Sequence, residues 1–165
     1  MTSFVTESLT RNHDRTAFSC GVDALDRYFK EFAFQDIQRR VAGCFVALDD
    51  ARKIVGYYTL AATSIALDQL PAEKIKRLPR YQSVPAILIG RLAVDANYRG
   101  CGIGSALVVD AVMRTDRFGI GAFALIVDAK DDGARAFYEA NGFLGLPGEE
   151  RRLFLEMAVA MRGLK

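Results

Sequence analysis

The run from Arg99 to Gly104, in which every second residue is glycine, constrains the fold more than any other feature of this chain. It follows an apolar, strand-like stretch, Ile87 to Val94, and opens onto Ser105 to Val109, so a strand is predicted to turn into a helix here. Glycine lets a ligand approach the main chain closely. The first N–H groups of a helix lack internal partners, and the helix dipole adds positive potential. The run predicts a pyrophosphate cradle; the alternative is a glycine-rich helix start without a ligand.

The spacing of these glycines differs from the G-x-G-x-x-G of dinucleotide-binding units and from the P-loop. It resembles the R-G-x-G-[IVL]-[GA] signature of the GNAT acetyltransferases. The resemblance implies acetyl-coenzyme A as cosubstrate, with its pyrophosphate on this loop and the Arg99 side chain as a charge partner. Main-chain N–H groups of the preceding strand would bind the pantetheine and polarise the acetyl carbonyl. The cofactor-binding residues implied are Leu92, Ala93, Val94, Arg99, Gly100, Cys101, Gly102, Ile103, Gly104 and Ser105.

Length and composition predict one globular domain. The chain has 165 residues, about half apolar and a quarter charged, which fits a single domain over residues 1–165. Its three cysteines lack metal-ligand spacing and are interpreted as reduced thiols in a cytoplasmic protein without a metal. The amino terminus does not resemble a signal peptide, and the apolar runs are too short to span a membrane.

The hydrophobic pattern predicts the order helix, hairpin, strand, helix, strand, helix, strand. The predicted ranges are a helical region 22–40, hairpin strands 44–48 and 53–62, a loop 68–85 with a short helical piece, a strand 86–95, a helix 102–117, a strand 122–127, a helix capped by Asp131 or Asp132 that ends at 140, and a last strand 151–159. The strand–helix–strand unit implies parallel neighbours joined by a right-handed crossover. We therefore expect an α/β fold with a mixed twisted sheet and helices on both faces. This matches a single GNAT domain, in which the central parallel strands splay apart.

A second segment, Ala134 to Phe143, looks like the GNAT pattern A-x-x-[FL]-Y-x-x-x-G-F. In that family the tyrosine, here Tyr138, lies beside the cofactor sulfur and protonates the departing thiolate. Because a thiol has a pKa near 8.5 and tyrosine near 10, a positioned phenol can share or give a proton as the C–S bond breaks. Phe137 is interpreted as a packing residue.

No glutamate lies inside the predicted strand 86–95 to serve as a general base. Asp95 is expected to start the following turn, and His13 to be solvated or to cap a turn. Cys101 is expected to be a packing residue. The missing base favours an acceptor amine that is partly neutral already, since a free α-amine has a pKa near 8 and lysine one near 10.4.

Basic residues are concentrated between Pro71 and Arg99, with six Lys or Arg against two acids. With others from the first helical region they predict a basic rim that binds phosphates of a nucleic acid. A solvated loop is the alternative. The residues assigned to this rim are Lys30, Arg39, Lys76, Arg77, Arg80 and Arg91.

Three further segments, Phe18 to Tyr28, Gly56 to Leu60 and Ile89 to Asp95, resemble one GNAT subgroup, the acetyltransferase toxins of type II toxin–antitoxin modules. That resemblance implies acetylation of the α-amine of aminoacyl-tRNA, inhibition of translation, and a small ribbon-helix-helix antitoxin as partner. A homodimer is possible, and no membrane is expected to be involved. Two alternatives stay open: an ordinary GNAT enzyme acting on a small amine or a protein N-terminus, and a non-catalytic acyl-CoA-binding module.

Overall fold

The computed structural model describes residues 3–164, which divide into two compact units. The first comprises the chain up to Ala61 together with Gly90–Ala111, and the second comprises Ala62–Ile89 together with the chain from Val112. The strands are β1 (Val5–Ser8), β2 (Gly43–Leu48), β3 (Ile54–Ala66), β4 (Ser83–Val94), β5 (Ala124–Asp128), β6 (Leu144–Gly145) and β7 (Arg152–Glu156). The α-helices are α1 (Asp23–Arg27), α2 (Ala33–Gln38), α3 (Ala72–Ile75), α4 (Ile103–Arg117), α5 (Asp132–Ala140) and α6 (Met157–Gly163).

The sheet formed by the described strands is mixed, as predicted, in the order β1-β2-β3-β4-β5-β7-β6. Its parallel pair is β4 with β5, which are hydrogen-bonded from Ala86–Ile89 to Ala124–Val127, while β4 itself continues to Val94. Strands β1, β2 and β3 pair antiparallel, as do β5 with β7 and β6 with β7. The predicted hairpin and the parallel strand–helix–strand unit are therefore confirmed.

An aromatic cluster forms the centre of the first unit. The rings of Phe29 and Tyr57 stack with centroids 4.2 Å apart, and Phe18 packs edge-on against both. The Tyr57 hydroxyl donates to the Leu25 carbonyl at 2.7 Å, so this large ring is buried with its polar atom satisfied. Burial of these rings holds the first helical region on β2 and β3.

The core of the second unit is built from β4, β5, β7 and the segment before β4. Ile126 and Phe154 pack with Val84 and Ile65. An ion pair between Lys74 of α3 and Glu156 at the end of β7, 2.5 Å apart and mostly shielded from solvent, ties α3 to the sheet.

Several predicted boundaries are wrong. The last strand ends at Glu156, and residues 157–163 form helix α6 instead, because a short apolar run does not distinguish strand from helix. Strand β4 begins at Ser83, so Pro85 belongs to a strand, and its carbonyl accepts from the Phe123 N–H at 2.8 Å. The short strands β1 and β6 were not predicted at all. Within the described residues, no helix is long and apolar enough to cross a membrane.

Candidate active site

The glycine loop in the first unit has an open main-chain surface. Gly100 and Gly102 adopt φ angles of +76° and +79°, and a Cβ added at either position would have no neighbour within 4 Å. Helix α4 begins at Ile103, and the Ala106 N–H donates to the Gly102 carbonyl at 3.1 Å. The N–H groups of the first turn lack intrahelical partners. The positive φ angles explain why glycine occupies positions 100 and 102. The open space beside these two residues fits a phosphate group.

The turn before this loop is held by Asp95. Its side chain is buried, with the residue 2% exposed, and accepts from the Asn97 N–H at 2.9 Å and the Ser19 N–H at 3.3 Å. Asp95 therefore starts the turn, as the sequence analysis expected. It also joins the end of β4 to the segment around Ser19, which sequence spacing did not reveal.

Arg99 has a structural contact that sequence reasoning missed. Its Nη2 donates to the Cys20 carbonyl at 2.5 Å, and a Cβ on Gly21 would lie only 2.4 Å from that nitrogen. The residue remains exposed, so a phosphate can still reach its guanidinium. Its role as a charge partner stays a prediction; the bond to Cys20 holds the side chain on one side of the loop. No sequence signal indicates this contact, because it joins segments 79 positions apart.

Cys101 is exposed, so its interpretation as a packing residue is wrong. Its Sγ lies 3.8 Å from the Arg99 carbonyl, within the loop itself. Cys20 and Cys44 are buried, and burial raises the pKa of the Cys44 thiol to about 12. The apolar character of cysteine favours burial in general, but the loop conformation turns the Cys101 side chain outward.

The end of β4 carries the three strand residues assigned to the cofactor. Ala93 is buried, whereas Leu92 and Val94 are half-buried. Just before them the Arg91 N–H donates to Thr59 Oγ1 at 3.0 Å, and a Cβ on Gly90 would lie 3.0 Å from the same oxygen. Contact with the pantetheine by residues 92–94 stays a prediction.

Tyr138 lies in the second unit, on α5. The helix begins after Asp131, whose side chain accepts from the Ala134 N–H at 2.7 Å. The Tyr138 ring packs edge-on between Phe137 and Phe143, with centroids 5.1 and 5.3 Å away. Phe137 is thus a packing residue, as interpreted.

Burial governs the chemistry of the Tyr138 hydroxyl. The residue is 8% exposed, and desolvation raises its pKa to about 12. Among the residues that the structure describes, the hydroxyl has no hydrogen-bond partner. The phenol is therefore fully protonated at neutral pH and free to donate to a ligand.

The residues assigned to the basic rim belong to both units. Lys30 and Arg39 are exposed in the first unit, where Arg91 is half-buried with its guanidinium 3.5 Å from the Tyr28 ring centroid. In the second unit the exposed side chains are Lys76, Arg77 and Arg80. Each group lies on its own unit's surface, and phosphate binding by either stays a prediction.

His13 caps a turn, which is one of the two alternative roles expected for it, and it is not solvated. Its side chain is 7% exposed, with Nε2 2.6 Å from Glu7 Oε1. Its Nδ1 accepts from the Thr10 N–H at 2.9 Å, so the turn-capping role is correct. Within residues 3–164, no cluster of three or more His, Cys, Asp or Glu side chains is arranged to hold a metal ion.

Residues 7–143 match the model of the acetyltransferase (GNAT) family. The chain belongs to the GNAT family of acetyltransferases. It is an acetyl-coenzyme A-dependent enzyme of that family, and the matched segment contains both the glycine loop and Tyr138.

Individual relatives match over most of the chain. A "tRNA-acetylating toxin" of Mycobacterium tuberculosis is 38% identical over 146 residues, which is 87% of this chain and 86% of the relative. A "Probable toxin TacT" of Sinorhizobium fredii is 32% identical over 156 residues, or 88% of this chain and 86% of the relative.

Solved structures are similar as well. AtaT complexed with acetyl-methionyl-tRNAfMet superimposes with a TM-score of 0.89 at 28% identity, covering 99% of this chain and 100% of AtaT. AtaTR bound with AcCoA gives a TM-score of 0.84 at 27% identity, covering 98% of both.

Proposed function

We propose that this chain moves the acetyl group of acetyl-coenzyme A to the α-amine of an aminoacyl-tRNA and so acts as a translation-blocking toxin. The observation that carries the choice of acceptor is the 38% identity, over 87% of the chain, to a tRNA-acetylating toxin. The structure of AtaT with acetyl-methionyl-tRNAfMet supports it independently, because its fold matches this chain nearly end to end.

The glycine loop is proposed to hold the pyrophosphate of the cosubstrate. The first N–H groups of α4 lack intrahelical partners, and a Cβ placed on Gly100 or Gly102 would have no neighbour within 4 Å. Arg99 adds a positive charge at the same loop. Leu92, Ala93 and Val94 are proposed to bind the pantetheine arm with their main-chain amides.

Tyr138 is proposed to be the proton donor. In the transfer the amine nitrogen bonds to the acetyl carbon, the C–S bond breaks, and the phenol gives a proton or a strong hydrogen bond to the leaving sulfur. The amine releases its own proton to solvent, which an α-amine with a pKa near 8 does readily at neutral pH. The raised pKa of Tyr138 keeps the phenol protonated until the C–S bond breaks and negative charge develops on the sulfur.

The same comparison supports a proposal about partners. AtaT–AtaR and KacTA complexes with DNA superimpose on this chain with TM-scores of 0.78 and 0.80 at 25% identity. We propose a cognate antitoxin that neutralises this chain, of the small ribbon-helix-helix class, and a cytoplasmic site of action. A homodimer is part of the same proposal.

Incubation of charged tRNA with the protein and labelled acetyl-coenzyme A tests the acceptor directly. Label is expected in the aminoacyl fraction, and it should disappear when the α-amine is blocked beforehand. Expression of the wild type alone should arrest growth, and Tyr138→Phe should relieve the arrest. If label enters a polyamine or a peptide N-terminus but no aminoacyl-tRNA of any identity, the proposed toxin function is wrong, and the chain is an ordinary GNAT enzyme.

A further inference from the structure

A cleft of about 440 Å³ opens in the first unit, apart from the glycine loop. Its walls combine two aromatic rings with two guanidinium groups. The lining residues are Ala24, Leu25, Arg27, Tyr28, Phe32 and Arg91. None of these six described residues is acidic, so the cleft favours an anionic ligand with an apolar or flat part.

One wall is an aromatic face exposed by an irregular helix. Residues Tyr28–Phe32 form a π-helical turn between α1 and α2, in which the Ala33 N–H bonds to the Tyr28 carbonyl. Such turns inside helices are frequent at functional sites. Phe29 is fully buried, whereas Phe32 is 42% exposed. The irregular turn thus leaves one phenyl ring open to the cleft.

Arg91 belongs to the same lining and is held in position. Its guanidinium lies 3.5 Å from the centroid of the Tyr28 ring, and the Tyr28 hydroxyl donates to Asp36 Oδ2 at 2.7 Å, which holds the ring in place. Among the described residues, no carboxylate lies within ion-pair distance of Arg91. A half-buried arginine without a counter-ion is suited to binding an anion.

The second cation of the cleft is Arg27, whose Cζ lies 5.8 Å from the Phe32 ring centroid. Its Nε is 2.8 Å from Glu31 Oε2, but both side chains are more than half exposed. Exposed pairs of this kind contribute little and exchange partners readily. Its terminal nitrogens are therefore available to a phosphate beside the ring.

From this arrangement we infer that the cleft holds the 3′-terminal nucleotide of the acceptor RNA, with the base stacked on Phe32 and the phosphate between Arg27 and Arg91. Bases stack on aromatic side chains, and arginine binds phosphate in a bidentate manner. The amino acid itself does not fit this place, because its α-ammonium group would face two guanidiniums. The identity of the RNA rests on the proposed function; the nucleotide cleft rests on the contacts given above.

The test measures binding of a labelled trinucleotide, CCA, to the full chain by fluorescence anisotropy. Phe32→Leu keeps the apolar volume but removes the ring, and we expect about 5- to 150-fold weaker binding. Arg27→Gln and Arg91→Gln should each flatten the dependence of log Kd on log salt by about 0.7. A probe with an abasic 3′ residue should bind the wild type and Phe32→Leu equally.

Matched controls come from a second arginine–phenylalanine contact in the same unit. Arg11 lies 4.7 Å above the ring of Phe34, outside the cleft. Phe34→Leu and Arg11→Gln should leave trinucleotide binding unchanged, and all variants should bind acetyl-coenzyme A like the wild type. The inference is overturned if Phe32→Leu binds CCA normally, or if the cleft variants lose affinity for acetyl-coenzyme A instead.

Failure of this inference and failure of the proposed function are distinguishable. If the wild type acetylates aminoacyl-tRNA and the cleft variants do so with unchanged KM, the cleft assignment is wrong and the proposed function stands. If CCA binding depends on Phe32 and Arg91 but no aminoacyl-tRNA is acetylated, the cleft stands and the proposed function fails.

Discussion

Replacing Tyr138 by phenylalanine tests the proton donor at its most specific point. The hydroxyl has no partner among the described residues, and the ring packs between Phe137 and Phe143, so the phenylalanine variant keeps the packing and deletes only the proton. We expect kcat to fall about 10²- to 10⁴-fold, the usual range for one general acid. Affinity for acetyl-coenzyme A should be nearly unchanged.

The raised pKa of Tyr138 determines the pH range over which the phenol can donate its proton. Burial raises this pKa to about 12, so the hydroxyl keeps its proton until the C–S bond breaks. We therefore expect no loss of activity through ionisation of Tyr138 below about pH 11.

The same substitution has a thermodynamic signature that a catalytic assay does not share. Burial raises the folded-state pKa of Tyr138 above its unfolded value near 10, so the stability from keeping it neutral is complete below pH 10 and is lost as the pH rises toward 12. At pH 11 this loss amounts to about 1.4 kcal/mol. Tyr138→Phe should lack it, since phenylalanine does not ionise.

Single-turnover kinetics and urea unfolding at pH 8 and pH 11 together check this reasoning. Wild-type rates in Tyr138→Phe would show that water protonates the thiolate. An equal decrease in stability between the two pH values for both proteins would contradict the buried, neutral phenol, because the other tyrosines are common to both. Phe137→Leu serves as the control, since it perturbs packing against the Tyr138 ring and retains the phenolic proton.

Three further changes probe the rest of the chain. Gly102→Val places a branched side chain at φ +79° beside the open loop, so calorimetry should show weaker acetyl-coenzyme A binding, and unchanged affinity would remove the loop from the site. Asp95→Ala removes the acceptor of the Ser19 and Asn97 N–H groups and should lower the free energy of unfolding by about 0.5–2 kcal/mol in urea titrations; an unchanged midpoint would contradict the capping role. Joint replacement of Lys76, Arg77 and Arg80 by glutamine should flatten the salt dependence of tRNA binding by a slope of about 2–3 while acetyl-coenzyme A binding persists; an unaltered slope would assign these side chains to solvent.

Short segments of the sequence are sufficient to predict those structural features that depend only on neighbouring residues. The order of strand, glycines and helix start at Arg99 to Gly104 needs only backbone propensities, and the structure has that loop as predicted. The capping by Asp131 and the end of α5 at Asn141 and Gly142 also depend on neighbouring residues alone. The parallel pairing of β4 with β5 is the arrangement that a strand–helix–strand connection favours.

The features that the sequence does not predict depend on contacts between segments that are distant along the chain. The bond from Arg99 to the Cys20 carbonyl joins parts of the chain that no spacing rule connects. The sequence by itself determined the family, and it predicts the glycine loop and Tyr138 as site residues, because these depend on short segments. Only the tertiary structure could raise the pKa of Tyr138 and set Arg91 against Tyr28, because desolvation and ring stacking exist only once the segments are packed.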